Sequence, residues 1–288
     1  MNLINRSVVT VELTEIRVIA LTAIAADDWL MEHLVLKGGC ALELVHHIGG
    51  RSSLDIDFSI EGDFADPSQV AQRLQAALAK RFATMGYVVF DFSFREKPEG
   101  SAHRTWGGYL AEFKLIERAR HLRLAEVQDG SRRQALVTGP NQKRIFRIEL
   151  SKHEHCTDKQ LVTVRDYDLY VYSPAMIAAE KIRAICQQSV RYSLRRHPAP
   201  RPRDFYDIYS IITHTHLELA NHADLVRTMF ETKAVPLALI GEIPESRGFH
   251  EAAWSSVRDA VAEKLQDFDF YFDFVVERTL LLHSLWDV

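Results

Sequence analysis

Leu54-Asp55-Ile56-Asp57-Phe58-Ser59-Ile60 alternates apolar and polar residues without a break. Period two is the geometry of a strand with one buried face, and it puts Asp55 and Asp57 side by side on the other face. Upstream, Leu34-Val35-Leu36 reads as a short apolar strand that stops at Gly38-Gly39, and Cys40 to His47 has the spacing of a short helix. A strand, a glycine turn, a helix and a returning acidic strand describe a sheet with helices beside it.

The rest of the chain extends that reading. Val11 to Trp29 is predicted as a helix. Pro67 to Met85 is predicted as another, with Val70, Leu74, Ala77 and Leu78 on one stripe and Gly86 at its end. Tyr87 to Phe94, Tyr109 to Ile116 and Arg144 to Leu150 read as strands, whereas Arg118 to Gly139 fits neither period. Beyond Ser173 the character changes. Pro174 suits a helix start, Ala175 to Gln188 and Phe205 to Ile212 have helical spacing, and the remainder is rich in helix formers. The expected fold class is α/β (α+β): a mixed-sheet core over residues 1–172, then a helical domain over 173–288.

Composition removes several classes. The 288 residues are 47% hydrophobic, enough for a large core and too apolar for a disordered chain. Thirty-five basic against 39 acidic residues give a net charge of −4, so the whole molecule is no general polycation. Cys40, Cys156 and Cys186 are far apart and form no CxxC pair, which suits a reducing compartment. With neither a signal-like start nor 18 consecutive apolar residues, the expectation is a cytoplasmic protein without a membrane span.

Several residues carry chemical potential. Two carboxylates on one strand face repel, and a divalent cation between them removes the penalty; a solvent-facing strand explains the same alternation. Gly38-Gly39 before a helix lets backbone N–H groups approach a phosphate, or is merely a tight turn. In Arg144 to Leu150 the apolar side is Phe146, Ile148 and Leu150, which leaves Glu149 as a third carboxylate; Glu112 competes with it. Ile177, Lys181 and Ile185 share a helix stripe, so the Lys181 ammonium needs an anion, either a phosphate or a carboxylate. Asp204 lies at the margin of the Phe205, Ile208, Ile212 stripe and is a candidate partner for Lys181, whereas Asp207 is expected to point away. From Ala178 to Arg203 seven bases face one acid, Glu180, and Lys114 to Lys152 is basic too. His153-Glu154-His155-Cys156 lacks a second ligand cluster and is read as a polar strand end rather than zinc. His46 and His47 are expected at the surface. No Walker A loop, Rossmann fingerprint or G-x-S-x-G elbow is present.

Taken in order, Lys37-Gly38-Gly39, Arg51-x-Ser53-x-Asp55-Ile56-Asp57-Phe58, Ile148-Glu149-Leu150, Ala179-Glu180-Lys181-Ile182-Arg183-Ala184 and Arg203-Asp204-Phe205-Tyr206-Asp207 resemble the AbiEii/AbiGii-type nucleotidyltransferase toxins. These belong to the DNA polymerase β-like nucleotidyltransferase superfamily, and the likeness runs from about Leu34 to Ile212. It implies an Mg²⁺-dependent enzyme that transfers NMP from an NTP to RNA, with the tRNA 3′ end as acceptor, as the toxin of a type IV-like toxin–antitoxin pair with a cognate antitoxin. A small-molecule or protein hydroxyl is the alternative acceptor, and a non-catalytic binding member of the fold is the other alternative. The resemblance makes Asp55, Asp57, Lys181 and Asp204 catalytic, and Asp55, Asp57 and Glu149 the metal ligands. Lys37, Gly38, Gly39, Cys40, Ser53 and Lys181 would bind nucleotide. Cys40 departs from the family's usual Thr or Ser, and a thiol is a weaker donor to phosphate. Arg195, Arg196, Arg201 and Arg203 are candidates for tracking an RNA backbone.

Overall fold

The computed structural model describes residues 3–50, 53–99, 106–125, 130–138, 142–194, 197–261 and 264–286. Contacts divide the chain into two compact units, one of residues 1–40 and 53–171, the other of residues 41–52 and 172–288. The segment between the Gly-Gly turn and Ser53 therefore joins the helical unit, far away in sequence.

In the first unit α1 (Leu3–Ala25) and α2 (Asp28–His33) lead into β1 (Val35–Lys37) and a short α3 (Gly38–Ala41) that straddles the boundary. After the 41–52 segment come β2 (Ile56–Ser59), α4 (Pro67–Thr84), β3 (Tyr87–Lys97) and β4 (Gly108–Glu117). Then follow α5 (Arg118–Ala125), α6 (Ser131–Gln134), β5 (Phe146–Ser151), β6 (Gln160–Val164) and β7 (Tyr167–Val171). The strands form one sheet in the order β3-β4-β5-β2-β1-β7-β6. The pairs β2–β5 and β1–β7 are parallel and the others antiparallel.

Register assigns the two faces. Leu36, Phe58, Leu150 and Tyr109 lie in one row, and Ile56, Ile148 and Ala111 in the next. All of these are buried. Helix α4 covers this face: its Asp66 N-cap accepts from Ser68 N and Gln69 N, Pro67 opens the first turn, and Val70, Leu74, Leu78 and Phe82 point inward. Phe82 meets Phe113 of β4 at 6.1 Å, and Phe113 stacks on Phe146 of β5 at 5.5 Å. Burying this apolar face supplies the main driving force for the unit.

The β6–β7 hairpin has no strong sequence signal, and the reason is visible in its turn. Arg165 and Asp166 both have positive φ, 48° and 68°, as in the turns that join two-residue hairpins. Such turns are usually written Asn-Gly or Asp-Gly, and here they are written Arg-Asp. Arg165 ion-pairs with Glu15 of α1 at 2.5 Å, which ties the turn down. Leu161 is more than half exposed, so β6 shows no buried alternation.

The second unit is helical. Its first segment makes a wide turn at Leu42–His46, where His46 Nε2 lies 2.8 Å from the Tyr172 carbonyl, and Gly50 N donates to Tyr206 Oη at 3.1 Å. His46 is thus half-buried, contrary to the surface position expected, and burial pushes its pKa down. Helices α7 (Pro174–Cys186), α8 (Pro202–Thr215), α9 (Ala223–Thr232), α10 (Arg247–Glu251), α11 (Ser255–Arg258) and α12 (Phe268–Leu280) follow. Ser173 caps α7 by accepting from Met176 N. Phe205 of α8 stacks on Phe272 of α12 at 5.1 Å, with Phe268 and His250 around it. Among the described residues, no helix is long and apolar enough to cross a membrane.

Candidate active site

The polar face of the sheet carries the candidate carboxylates. Asp57 is in register with Lys37 on one side and Glu149 on the other, so Asp57 and Glu149 are direct cross-strand neighbours on the same face. Asp55 sits at a bend just before the first ladder residue of β2, so the strand is shorter than the Leu54–Ile60 alternation suggested. The approach to Asp55 is tied from two sides. The buried Arg17 donates to the Ser53 carbonyl, and Ser53 Oγ donates to the Asp55 carbonyl at 3.3 Å.

Gly38 is required where it stands. Its φ is +68°, and a Cβ placed on it would lie 2.9 Å from Asp57 Oδ2. The carboxylate packs directly against bare backbone at the β1–α3 turn. Gly38→Ala is expected to cost about 1–2 kcal/mol in left-handed strain alone and to push the Asp57 side chain aside. Thermal denaturation together with a transfer assay checks it, with activity falling further than stability accounts for.

The third acid is held by a lysine. Lys97 Nζ lies 3.2 and 3.3 Å from the two oxygens of Glu149. Lys97 is on β3 and Glu149 on β5, and the strand between them presents Gly108 at the Lys97 register. Glu112, the competing acid, accepts from Arg147 Nε at 2.9 Å and lies 3.6 Å from Arg95. Among the described residues, no group of three or more His, Cys, Asp or Glu side chains is clustered for a metal ion.

Other sequence candidates have quite different surroundings. Lys37 is buried and pairs with the buried Glu154 at 3.5 Å, and Cys40 is fully buried. Glu154, just past the end of β5, thus serves as a buried counter-ion in the polar strand end. Lys181 is buried on α7, with its ammonium 2.9 Å from Asp204 Oδ1 and 2.6 Å from Asp207 Oδ2, both on α8. Asp207 therefore turns inward, not away as its helix position suggested. Burial opposes ionisation of Asp204, but the neighbouring Arg201 and Lys181 charges outweigh it and hold the carboxyl well below its usual range. His250 accepts from Arg201 N at 3.0 Å through Nδ1, and burial pushes its pKa down to about 4.

The basic band from Ala178 to Arg203 is not one surface. Lys181 and Arg183 are buried, Arg191 pairs with Glu242 at 2.7 Å, and Arg201 pairs with Asp204. Arg203 reaches the Ser256 carbonyl at 3.4 Å, and Arg195 and Arg196 lie outside the described residues.

A family model described as nucleotidyl transferase AbiEii toxin, type IV toxin–antitoxin system, matches residues 19–277. The chain belongs to the AbiEii family. It is accordingly a nucleotidyltransferase, the toxin component of a type IV toxin–antitoxin system. The match extends well past Ile212, where the recognisable motifs end, so the helical tail is part of the AbiEii sequence pattern. The crystal structure of JHP933 from Helicobacter pylori is similar, with TM-score 0.53 and 14% identity over 96% of this chain and 92% of that one. A second Helicobacter pylori structure, of a protein named as a nucleotidyltransferase, has TM-score 0.50 and 14% identity over 96% of this chain and 95% of that one. At that identity the likeness is one of fold. No curated protein sequence matches the chain.

Lys97 and Asp207 are the residues of these clusters that sequence reasoning missed. Lys97 carries no local signal, because its partner is 52 residues away. Asp207 had one: it follows Asp204 by three, a spacing that puts both acids within reach of one facing lysine.

Proposed function

We propose that this AbiEii toxin transfers NMP from an NTP to the 3′ hydroxyl of an RNA, with tRNA the acceptor, in an Mg²⁺-dependent reaction in the cytoplasm. The observation that carries the reading is Asp57, seated against Gly38 and in register with Glu149 on the polar face of the sheet. The donors there are all hard oxygens. Magnesium needs only one or two protein carboxylates and takes its remaining ligands from phosphates and water. Asp55 and Asp57 would hold it, with Glu149 rather than the arginine-bound Glu112 as the third acid. When bound, the metal supplies Lewis-acid stabilisation at the α-phosphate and lowers the pKa of the attacking hydroxyl.

The protein's own groups do the rest. Arg17 and Ser53 keep Asp55 oriented, and Gly38 leaves Asp57 unobstructed. Backbone N–H groups at Gly38 and Gly39 would face the triphosphate. The acceptor oxygen forms the new bond to the α-phosphorus, and pyrophosphate leaves with the electrons of the broken P–O bond. Lys181 and Asp204 are given a narrower part than the motif implies: they hold α7 to α8, because the ammonium is already shared between two carboxylates. The antitoxin partner that the family implies answers for control of this activity.

The lysine on Glu149 has a measurable consequence. Lys97→Met frees that carboxylate, and Mn²⁺ binding followed by electron paramagnetic resonance should tighten by up to about fivefold, the worth of an exposed ion pair. Unchanged affinity would remove Glu149 from the ligand set. The function itself is tested by incubating the protein with each labelled NTP, Mg²⁺ and total tRNA. Label in tRNA is the expected result. Label on the protein or on a small molecule, with none on RNA, would replace the acceptor.

A further inference from the structure

We propose that the surface of α5 and α6 in the first unit binds the sugar–phosphate backbone of the RNA acceptor, some distance from the reacting end. The inference rests on the RNA reading above and adds where the body of the acceptor lies. The basic run from Lys114 to Lys152 has no part in the metal site, and the structure separates its members into two kinds. Arg147 pairs with Glu112, Lys152 with Asp63 and Glu96, and Lys114 and Arg132 share Asp91. Arg118, Arg120, Arg123 and Arg133 are exposed, and among the described residues none of the four has an ion-pair partner.

The local architecture displays these four arginines. Among the described side chains of α5, only His121 and Leu124 turn partly inward, where His121 Nδ1 lies 3.3 Å from Ser131 Oγ of α6. Both ends of the excursion are tied to backbone, one at the turn before β3 and one on β4. Arg118 N donates to the Gly86 carbonyl, and Leu136 N to the Leu115 carbonyl, each at 2.8 Å. The bulge in β3 between Phe90 and Ser93 brings in Asp91, with φ 50°, to accept from Lys114 at 2.9 Å and from Arg132 at 2.7 Å. That single acid serves two bases, and among the described residues no acid pairs with Arg118, Arg120, Arg123 or Arg133. Guanidinium groups gathered on one anchored surface repel one another, and phosphates relieve the repulsion through paired hydrogen bonds.

The distance is what makes this an RNA surface in particular. Leu110 of β4 is in register with Glu149, and α5 begins after Glu117. Seven residues of strand span about 24 Å. A stacked helical stem rising about 3.4 Å per nucleotide covers that with about seven nucleotides. An acceptor whose 3′ end lies at Asp57 therefore lays a stem along α5 when that stem is at least roughly that long.

The test uses the full chain with Arg120→Glu and Arg123→Glu together, both exposed positions outside the transfer machinery. Fluorescence anisotropy with labelled tRNA and with a four-nucleotide RNA, from 50 to 200 mM salt, reads binding without turnover. Loss of two phosphate contacts should weaken tRNA binding by at least about tenfold near 0.1 M salt and lower the slope of log affinity against log salt by about 1.8. Binding of the four-nucleotide RNA should not change. In the transfer assay KM for tRNA should rise while kcat, and activity on the short acceptor, hold. Unchanged tRNA affinity and salt slope in the double variant, with transfer intact in the wild type, would overturn the surface and leave the function standing. A variant that loses affinity for polyglutamate but keeps it for tRNA would reassign the surface to an acidic protein. A wild-type protein that neither binds nor labels tRNA would overturn both.

Discussion

Asp57→Ala is expected to abolish nucleotidyl transfer, by at least about a thousandfold in kcat, while the protein stays folded. Metal-assisted stabilisation of charge at phosphorus is worth several kcal/mol, and about 4 kcal/mol corresponds to that factor. The fold should tolerate the change because Asp57 is only half-buried and projects from the polar face, opposite Phe58 and the apolar core. Asp55→Ala should behave alike in activity. Its position before the ladder, tied through Ser53 and Arg17, makes its side chain still less involved in the sheet. Calorimetry and a labelled-NTP assay on the same preparations separate the two effects. Transfer that survives Asp57→Ala with unchanged kcat would remove the metal pair from the mechanism, and with it the role given to Gly38.

Lys181→Ala is expected to lower stability by about 3–5 kcal/mol, because it removes the buried counter-charge shared by the carboxylates of Asp204, which keeps Arg201, and Asp207. The pH dependence carries the signature. In the intact protein the folded pKa of Asp204 is depressed, so its contribution is fully present above the ordinary value of 3.8 and disappears only as pH falls below that toward the folded value. Without Lys181 the lost attraction raises the folded pKa while burial continues to oppose ionisation. The cost of the substitution should therefore shrink as the pH is lowered from neutrality to about 4, since a protonated carboxyl needs no counter-charge. Urea unfolding at several pH values measures it. Adding Asp207→Asn to Lys181→Ala should recover part of the loss by leaving one buried negative charge fewer. A pH-independent cost would mean that the lysine contributes by packing alone.

Much of this was legible beforehand, for reasons that differ from element to element. Helix α4 could be read almost to the residue because its boundary signals and stripe are all local: Pro67 at the start, Gly86 after the end. The alternation around Asp57 was equally local, and it correctly put that acid on the face opposite Ile56 and Phe58. The β6–β7 hairpin was not legible. Its turn uses Arg165 and Asp166 in a conformation that those residues rarely announce, and edge strands bury too little to show a pattern. The basic band was legible as composition but misleading as a surface. Arg191 finds Glu242 and Lys181 finds Asp207 only after the chain has folded.

What the amino-acid order determined by itself was the elements with strong local signals and the family, because capping, period and motif spacing act over a few residues. Only the tertiary structure decided which charges are compensated. Lys97 on Glu149, Lys37 on Glu154 and Arg132 on Asp91 are matters of strand order and register, which bring together residues tens of positions apart. Coulomb attraction falls with distance in space and takes no account of distance along the chain.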